Sequence, residues 1–195
     1  MNLGEQIDDH FFRHAETLEL ARKALAPTIV KCTEALTHAL RAGNKILLMG
    51  NGGSAADAQH FAAELVGRFL RERRALPAIA LTTDTSLLTA VANDFGFEQV
   101  FKRQVEALAR PGDVVVGIST SGNSPNVALA LEAARAIGCM TVGLLGRDGG
   151  GIAPLVDIAL TVPAQQTPHI QEAHITIIHL LCDLVERTLF AEGEK

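Results

Sequence analysis

The chain has 195 residues, 48% of them apolar, and a formal net charge of −5. That length suits one domain, and that apolar content supplies a large core and excludes a disordered chain. The acidic balance lacks the basic footprint of a nucleic-acid-binding domain. There is no Trp or Tyr, so the core has to be built from Ala, Leu, Val, Ile and eight Phe.

The three cysteines, Cys32, Cys139 and Cys182, lie far apart in apolar stretches with no Cys-x-x-Cys. They are expected to be buried free thiols, which fits a reducing cytosol. The first residues, MNLGEQIDDHFFRH, are acidic and polar, unlike a signal peptide. No apolar run approaches the ~20 residues of a membrane span. The expectation is a cytoplasmic protein with neither membrane nor nucleic-acid partners.

In chain order, residues 4–25 predict a helix from the recurrence of Ile7, Phe11, Phe12, Leu18 and Leu20. Pro27 is expected to break it, and a second helix is expected over 28–42, closed by Gly43-Asn44. The pattern then changes to short apolar runs without alternation, at 45–49, 78–81, 114–118, 141–145 and 158–162. Such runs predict strands buried on both faces. Helical patterns at 54–70, 86–92, 97–109 and 125–137 lie between them. Strands alternating with helices predict a parallel sheet covered on both sides, with right-handed crossovers. The last segment, 168–190, reads as one helix with apolar positions over more than one stripe. That predicts burial against the sheet and also against another chain. The division expected is a single domain over 1–195: N-terminal helices to 43, an α/β core over 44–163, and the C-terminal helix.

Two strands lead into polar loops that open helices. The first loop is Gly50-Asn51-Gly52-Gly53-Ser54, the second Ser119-Thr120-Ser121-Gly122-Asn123-Ser124. Both would reach the carboxyl edge of the sheet, where ligands bind in open α/β folds. A Gly-rich turn or a run of hydroxyls before a helix can hold phosphate on free N–H groups, with the helix dipole favouring negative charge. For 119–124 the bland alternative is a cap and turn, for which Ser124 alone would suffice as N-cap. The first loop also matches G-x-G-x-x-A, but the acidic residue a dinucleotide site needs is misplaced: Asp84 lies 34 residues beyond Gly50.

Downstream of the first loop, His60 and Glu64 form an i, i+4 pair on one helix face, and Arg68 continues the spacing. An imidazole and a carboxylate above an anion site suit a metal ligand and a proton-transfer group. The plainer reading is a Glu64–Arg68 helix ion pair beside a surface histidine. Asp84 is expected to cap a helix. Asn93-Asp94 is either a turn or an amide and carboxylate offered to sugar hydroxyls. The basic run Arg71-Glu72-Arg73-Arg74 reads as a solvated helix end or loop, with a phosphate or partner contact as the alternative. Gln171, His174 and His179 sit among aliphatics in the last helix, either as core residues or as site residues.

With these motifs, and with Asp57-Ala58-Gln59-His60-Phe61-Ala62-Ala63-Glu64-Leu65, Ala92-Asn93-Asp94-Phe95-Gly96, Gly146-Arg147-Asp148-Gly149-Gly150 and Ile170-Gln171-Glu172-Ala173-His174, the chain resembles the phosphoheptose isomerases of the sugar isomerase (SIS) domain superfamily. The resemblance spans nearly the whole chain, most loosely at the N-terminal helix. It implies a flavodoxin-like five-stranded parallel sheet, a homotetramer with active sites at subunit interfaces, and one Zn²⁺ per subunit. The implied activity converts sedoheptulose 7-phosphate to D-glycero-D-manno-heptose 7-phosphate, the first step toward nucleotide-activated heptose. Carried over by position, His60, Glu64, Gln171 and His179 would ligate the metal, and Glu64 and His179 would move the proton. Asn51, Gly52, Gly53, Glu64, Arg68, Asn93, Asp94, Ser119, Thr120, Ser121, Ser124 and Gln171 would hold the sugar phosphate.

A relative in the superfamily that binds the replication initiator DnaA resembles this chain through both loops, but lacks the glutamate of the HxxxE pair and the second histidine of the last helix. Glu64 and His179 are both present here, which favours the enzyme over the alternatives of a DnaA-binding protein or a sugar-phosphate sensor. Gln171 and His179, eight residues apart, would differ by ~12 Å in height and ~80° in direction on a continuous helix. Either Gln171 precedes regular helix, or the two ligands of one ion come from different chains; the second is the expectation.

Overall fold

The computed structural model describes residues 2–190. The elements in chain order are α1 (Leu3–Arg41), β1 (Ile46–Gly50), α2 (Gly53–Val66), β2 (Ala78–Ala80), α3 (Thr85–Phe95), α4 (Val100–Leu108), β3 (Val114–Ser119), α5 (Pro125–Ile137), β4 (Met140–Gly146), β5 (Ile158–Val162) and α6 (Thr167–Leu189). A 3₁₀ turn over Phe97–Gln99 precedes α4, so the single helix expected at 97–109 is a turn followed by a helix.

All five strands are parallel, in the order β2-β1-β3-β4-β5. Side chains alternate across the sheet and split the core into two layers. Ile46 and Leu48 of β1 join Val114, Val116 and Ile118 of β3 under α1, α2 and α6. Leu47 and Met49 face the other way, with Val115, toward α4 and α5. Strands buried on both faces are why the sequence shows continuous apolar runs instead of alternation.

Pro27 does not divide the N-terminal segment: α1 is one helix of 39 residues with Pro27 inside. A proline removes the hydrogen bond to the carbonyl four residues earlier and costs roughly 3 kcal/mol in a helix interior. Here Pro27 and Lys23 are both exposed, so water can serve the freed carbonyl. Leu25, Ile29, Cys32 and Leu36 continue one buried stripe on either side of the proline. That stripe packs in the same core as Ala173, Ile177 and Leu181 of α6, which offsets the local cost. The helix starts with a capping box, in which Glu5 N–H donates to Asn2 Oδ1 at 2.9 Å and Asn2 N–H to Glu5 Oε2 at 2.8 Å.

The three cysteines are free and buried, as expected. Burial pushes the Cys32 thiol up to about 12, so it is inert as a nucleophile at neutral pH. No helix among the described residues is long and apolar enough to cross a membrane.

Candidate metal and phosphate site

From β1 the chain leads to β2 on one side; from β3 it leads to β4 on the other. The crevice beyond the carboxyl ends of the adjacent strands β1 and β3 is therefore the topological switch point, where open α/β sheets bind ligands. Both polar loops lie there. Asn51, after β1, and Asn126, in the first turn of α5, exchange two side-chain hydrogen bonds of 2.9 Å and tie the loops together.

Gly52 takes a φ of 56° at the turn into α2, where a side chain would be strained. The amide of Gln171 lies directly over Gly53, so closely that a Cβ on Gly53 would stand 2.9 Å from Gln171 Cδ. In the second loop, Ser119 Oγ meets Ser124 Oγ at 2.9 Å, and Asn123 N–H donates to Ser121 Oγ at 3.1 Å. Ser124 occupies the N-cap position of α5 but makes no side-chain cap. The cap explanation therefore fails for Ser124, whose hydroxyl meets Ser119 instead, while Ser121 serves a local turn. Gly122, at a φ of 68°, brings this loop onto the backbone of Gly149 and Gly150, and Gly151 N–H donates to Asn123 Oδ1 at 2.9 Å.

α2 and α6 run alongside each other in the same direction. Gly53 meets Gln171 at one level; seven and eight residues later, His60 meets His179. His60 Nε2 lies 3.0 Å from His179 Nε2 and 3.2 Å from Glu64 Oε1. The ligand atoms of the three side chains all fall within 4.8 Å of one another. His60 Nε2 carries at most one proton, so its two contacts compete for it: a full hydrogen bond to one partner leaves the other with a shared or missing bond. A cation among the three atoms removes the conflict. Bonds of about 2.0–2.1 Å to tetrahedral Zn²⁺ separate ligands by about 3.3 Å, close to the two distances seen, and two imidazoles with a carboxylate are a zinc donor set. The residues present fit the ion.

Two neighbours of this cluster were not among the expected site residues. Asp57 lies three residues before His60 on α2, with Oδ2 buried and unpartnered. Burial pushes its carboxyl up to about 6, with His60 pulling the other way. Its spacing, one turn from His60, was the legible clue. Phe69 stacks on the His179 ring with centroids 5.3 Å apart and planes at 25°.

Phe69 is held from below. Glu186 accepts hydrogen bonds from the Phe69, Leu70 and Arg71 N–H groups at 2.8, 2.9 and 2.9 Å, and from Arg73 Nε at 3.0 Å. Both side chains of the Arg73–Glu186 pair are 0% exposed. Burial works to raise the Glu186 carboxyl, but these donors more than reverse it and hold it below the ordinary carboxylate range. Within the run 71–74, Glu72 and Arg74 are exposed as the solvated reading expects, but the Arg73 side chain is a buried strut. Arg73 also donates to the carbonyls of Glu64, Leu65 and Gly67, so it closes the end of α2 as well.

The other expected residues are placed as follows. α2 stops at Val66, short of the expected 70, so Arg68 leaves the helix face of His60 and Glu64 and makes no ion pair with Glu64 among the described residues. Asp84 caps α3, accepting from Leu87 N–H at 2.9 Å. Asn93 and Asp94 lie exposed in the last turn of α3, not in a turn beyond it, and bond to each other at 2.8 Å. No hydrogen bond among the described residues joins them to either loop. α6 is continuous from Thr167, so Gln171 does not precede regular helix. His174 is a core residue: its Nε2 lies 2.9 Å from the Leu145 carbonyl, and burial pulls its pKa down to about 4.

A family model described as SIS domain matches residues 10–146. The chain is 62% identical over 188 residues to the phosphoheptose isomerase of Geotalea daltonii, covering 96% of this chain and 98% of that protein. Among solved structures, a phosphoheptose isomerase from Neisseria gonorrhoeae superposes with a TM-score of 0.91 at 48% identity, covering 95% of this chain and 99% of that one. One from Francisella tularensis gives 0.93 at 38% identity, covering 96% and 100%. Similarity of this extent over a shared fold leaves one assignment: the chain belongs to the phosphoheptose isomerase family of SIS-domain proteins.

Proposed function

We propose that this protein is a Zn²⁺-dependent ketose–aldose isomerase that converts sedoheptulose 7-phosphate to D-glycero-D-manno-heptose 7-phosphate, the first step toward nucleotide-activated heptose. The observation that carries the reading is the convergence of His60, Glu64 and His179 beside two polar loops at the switch point. Family membership supports it.

Phosphate would sit on the N–H groups of Asn51, Gly52 and Gly53 and the hydroxyls of Ser119, Thr120, Ser121 and Ser124, where the N-termini of α2 and α5 favour an anion. His60 lies about 10 Å further along α2 at 1.5 Å per residue, so an extended sugar phosphate would bring its carbonyl end to the cluster. His60, Glu64 and His179 would hold the ion, with Gln171 completing the set from a second chain. Bound there, Zn²⁺ supplies Lewis-acid polarisation of the carbonyl oxygen. Glu64 takes the proton from the carbon acid; a carboxylate has two oxygens, so one can face the cation while the other accepts the proton. His179, oriented by its stack on Phe69, gives a proton to the carbonyl oxygen at C2, which forms the enediol; Glu64 then returns the proton to C2 as His179 takes the one on the C1 oxygen, which leaves the aldose. Arg68, Asn93 and Asp94 are assigned to the sugar hydroxyls of a substrate shared with a neighbouring chain. Such positioned acid–base groups contribute roughly 10²–10⁴-fold each.

A homotetramer in the cytoplasm completes the reading. Leu3, Ile7, Phe11 and Phe12 of α1 are exposed, and an apolar groove between α1 and α6 is lined by Leu18, Ile29, Val30, Ile177, Leu180 and Leu184. A second copy would cover both. The test is turnover of sedoheptulose 7-phosphate by purified protein, with and without chelator and added Zn²⁺. Metal-dependent appearance of the aldoheptose phosphate is expected. No turnover by metal-replete oligomer would overturn the reading and turn attention to binding of DnaA or to sugar-phosphate sensing.

A further inference from the structure

A second cluster of metal-ligating side chains lies away from the first, where α1 crosses the start of α6. His10 and His14 are four apart on α1; His169 and Glu172 are three apart on α6. Both spacings put each pair on one helix face. The faces meet at one carboxylate. His10 Nε2 stands 3.2 Å from Glu172 Oε1, while His169 Nδ1 and His14 Nδ1 stand 3.0 and 2.8 Å from Glu172 Oε2. We propose that His10, His169 and Glu172 form a second binding site for a divalent transition-metal ion, distinct from the His60–Glu64–His179 cluster, and that His14 orients the shared carboxylate.

Three observations carry the proposal. The ligand atoms of His10, His169 and Glu172 all lie within 4.8 Å of one another, and the two imidazole-to-carboxylate distances are close to the roughly 3.3 Å that a tetrahedral ion with 2.0–2.1 Å bonds imposes. The His10 and His169 rings approach with centroids 4.6 Å apart, tilted at 45°, and no hydrogen bond joins them. The ring contact leaves their nitrogens unjoined, whereas a cation between them uses both. His169 is 97% buried, and Nδ1, the nitrogen that would meet the ion, has Glu172 as its one partner; an ion there would leave Nε2 as it is, without a partner. Burying an imidazole for one hydrogen bond to a partly exposed carboxylate returns little; a ligand role accounts for its placement.

Two imidazoles and a carboxylate select zinc, cobalt or nickel over magnesium and calcium, which take oxygen ligands. Oε2 of Glu172, the oxygen that His169 faces, also meets His14 Nδ1 at 2.8 Å, an outer-sphere contact of the kind that fixes a ligand's orientation. The ion would clamp α1 at a point before its first buried residue, Thr17, onto the turn of α6 that carries Gln171. The inference does not depend on the isomerase reading.

Cobalt separates the two sites. Chelator-stripped full-length protein is titrated with Co²⁺ under equilibrium dialysis, and bound metal per chain is counted. The His60→Ala/His179→Ala double variant removes the first cluster and is expected to retain one equivalent. Adding His10→Ala, an exposed position, is expected to weaken that remaining equivalent at least tenfold. Glu172→Gln in the same background preserves size and hydrogen bonding and is expected to do likewise, with an unchanged circular dichroism spectrum. Retained tight binding in the His10→Ala or Glu172→Gln background, or no bound metal in the double variant, would overturn the proposal.

Discussion

Replacing Gly53 by Ala separates helix energetics from site geometry, because the two should move in opposite directions. Gly53 is the first residue of α2 and does not have a positive φ, so its backbone accepts a side chain without strain. A glycine-to-alanine change at a compatible position stabilises by about 0.4–1 kcal/mol, chiefly by restricting the unfolded chain. For a chain of this size each kcal/mol raises Tm by about 2–4 °C. The new Cβ, however, would stand 2.9 Å from Gln171 Cδ and 3.1 Å from its Oε1. Ordinary contacts are about 3.5–4.0 Å, so the amide must retreat by roughly 1 Å. A displacement of that size in a positioning group can cost about 10²-fold in rate, or ~2.7 kcal/mol of activation free energy. The assay is kcat/KM for sedoheptulose 7-phosphate beside a thermal melt. The expected result is a Tm unchanged or raised by a few degrees with kcat/KM down about a hundredfold. In a Gln171→Ala background the same substitution should cost nothing further, since both changes act through one side chain. A Gly53→Ala enzyme within twofold of wild type, or a full additional loss in the Gln171→Ala background, would refute the reasoning.

Glu64→Gln should abolish turnover while sugar-phosphate binding, followed by calorimetry, stays largely intact; wild-type-like activity would remove Glu64 as the base. Arg73→Met leaves the Glu186 carboxylate buried without its partner, which typically costs about 3–5 kcal/mol; urea unfolding should show that loss, and a change below 1 kcal/mol would mean the pair is not the strut described. His174 is neutral in the fold, with its pKa pulled down to about 4 from the ordinary 6.5. Its depressed value makes the unfolded state bind the extra proton, so this group's contribution is complete above pH 6.5 and falls away as pH drops toward 4. At 1.36 kcal/mol per unit the loss amounts to about 3 kcal/mol. Urea midpoints measured across that window should fall less steeply for His174→Gln than for wild type, and identical slopes would exclude the group as a source of acid sensitivity. Gly122→Ala forces a side chain at a φ of 68° into the Gly149 backbone, so it should displace loop 119–124 and raise KM for the sugar phosphate with Tm lowered; unchanged KM would detach that loop from substrate binding.

The sequence by itself determined the periodic and local features. Buried parallel strands leave continuous apolar runs, so all five strands were legible to within a residue or two, and the glycine and hydroxyl loops marked which strand ends carry chemistry. The i, i+4 spacing of His60 and Glu64 is fixed by helix geometry and needed no tertiary information. Where local signals met long-range packing, the structure decided. Pro27 is locally a helix breaker, but buried contacts on both sides of it hold α1 together, and its exposed position leaves the freed carbonyl open to water. Arg73 reads as surface charge because its partner, Glu186, is 113 residues away. The meeting of His179 with His60, 119 residues apart, and of Gln171 with Gly53 depends on α2 and α6 lying parallel on one face of the sheet. Strand order set that arrangement, by placing β1 beside β3 with connections leaving in opposite directions. Local periodicity carries no information about which strands pair: that choice is settled by burial of whole faces against one another, a property of the assembled layers and not of any segment within them.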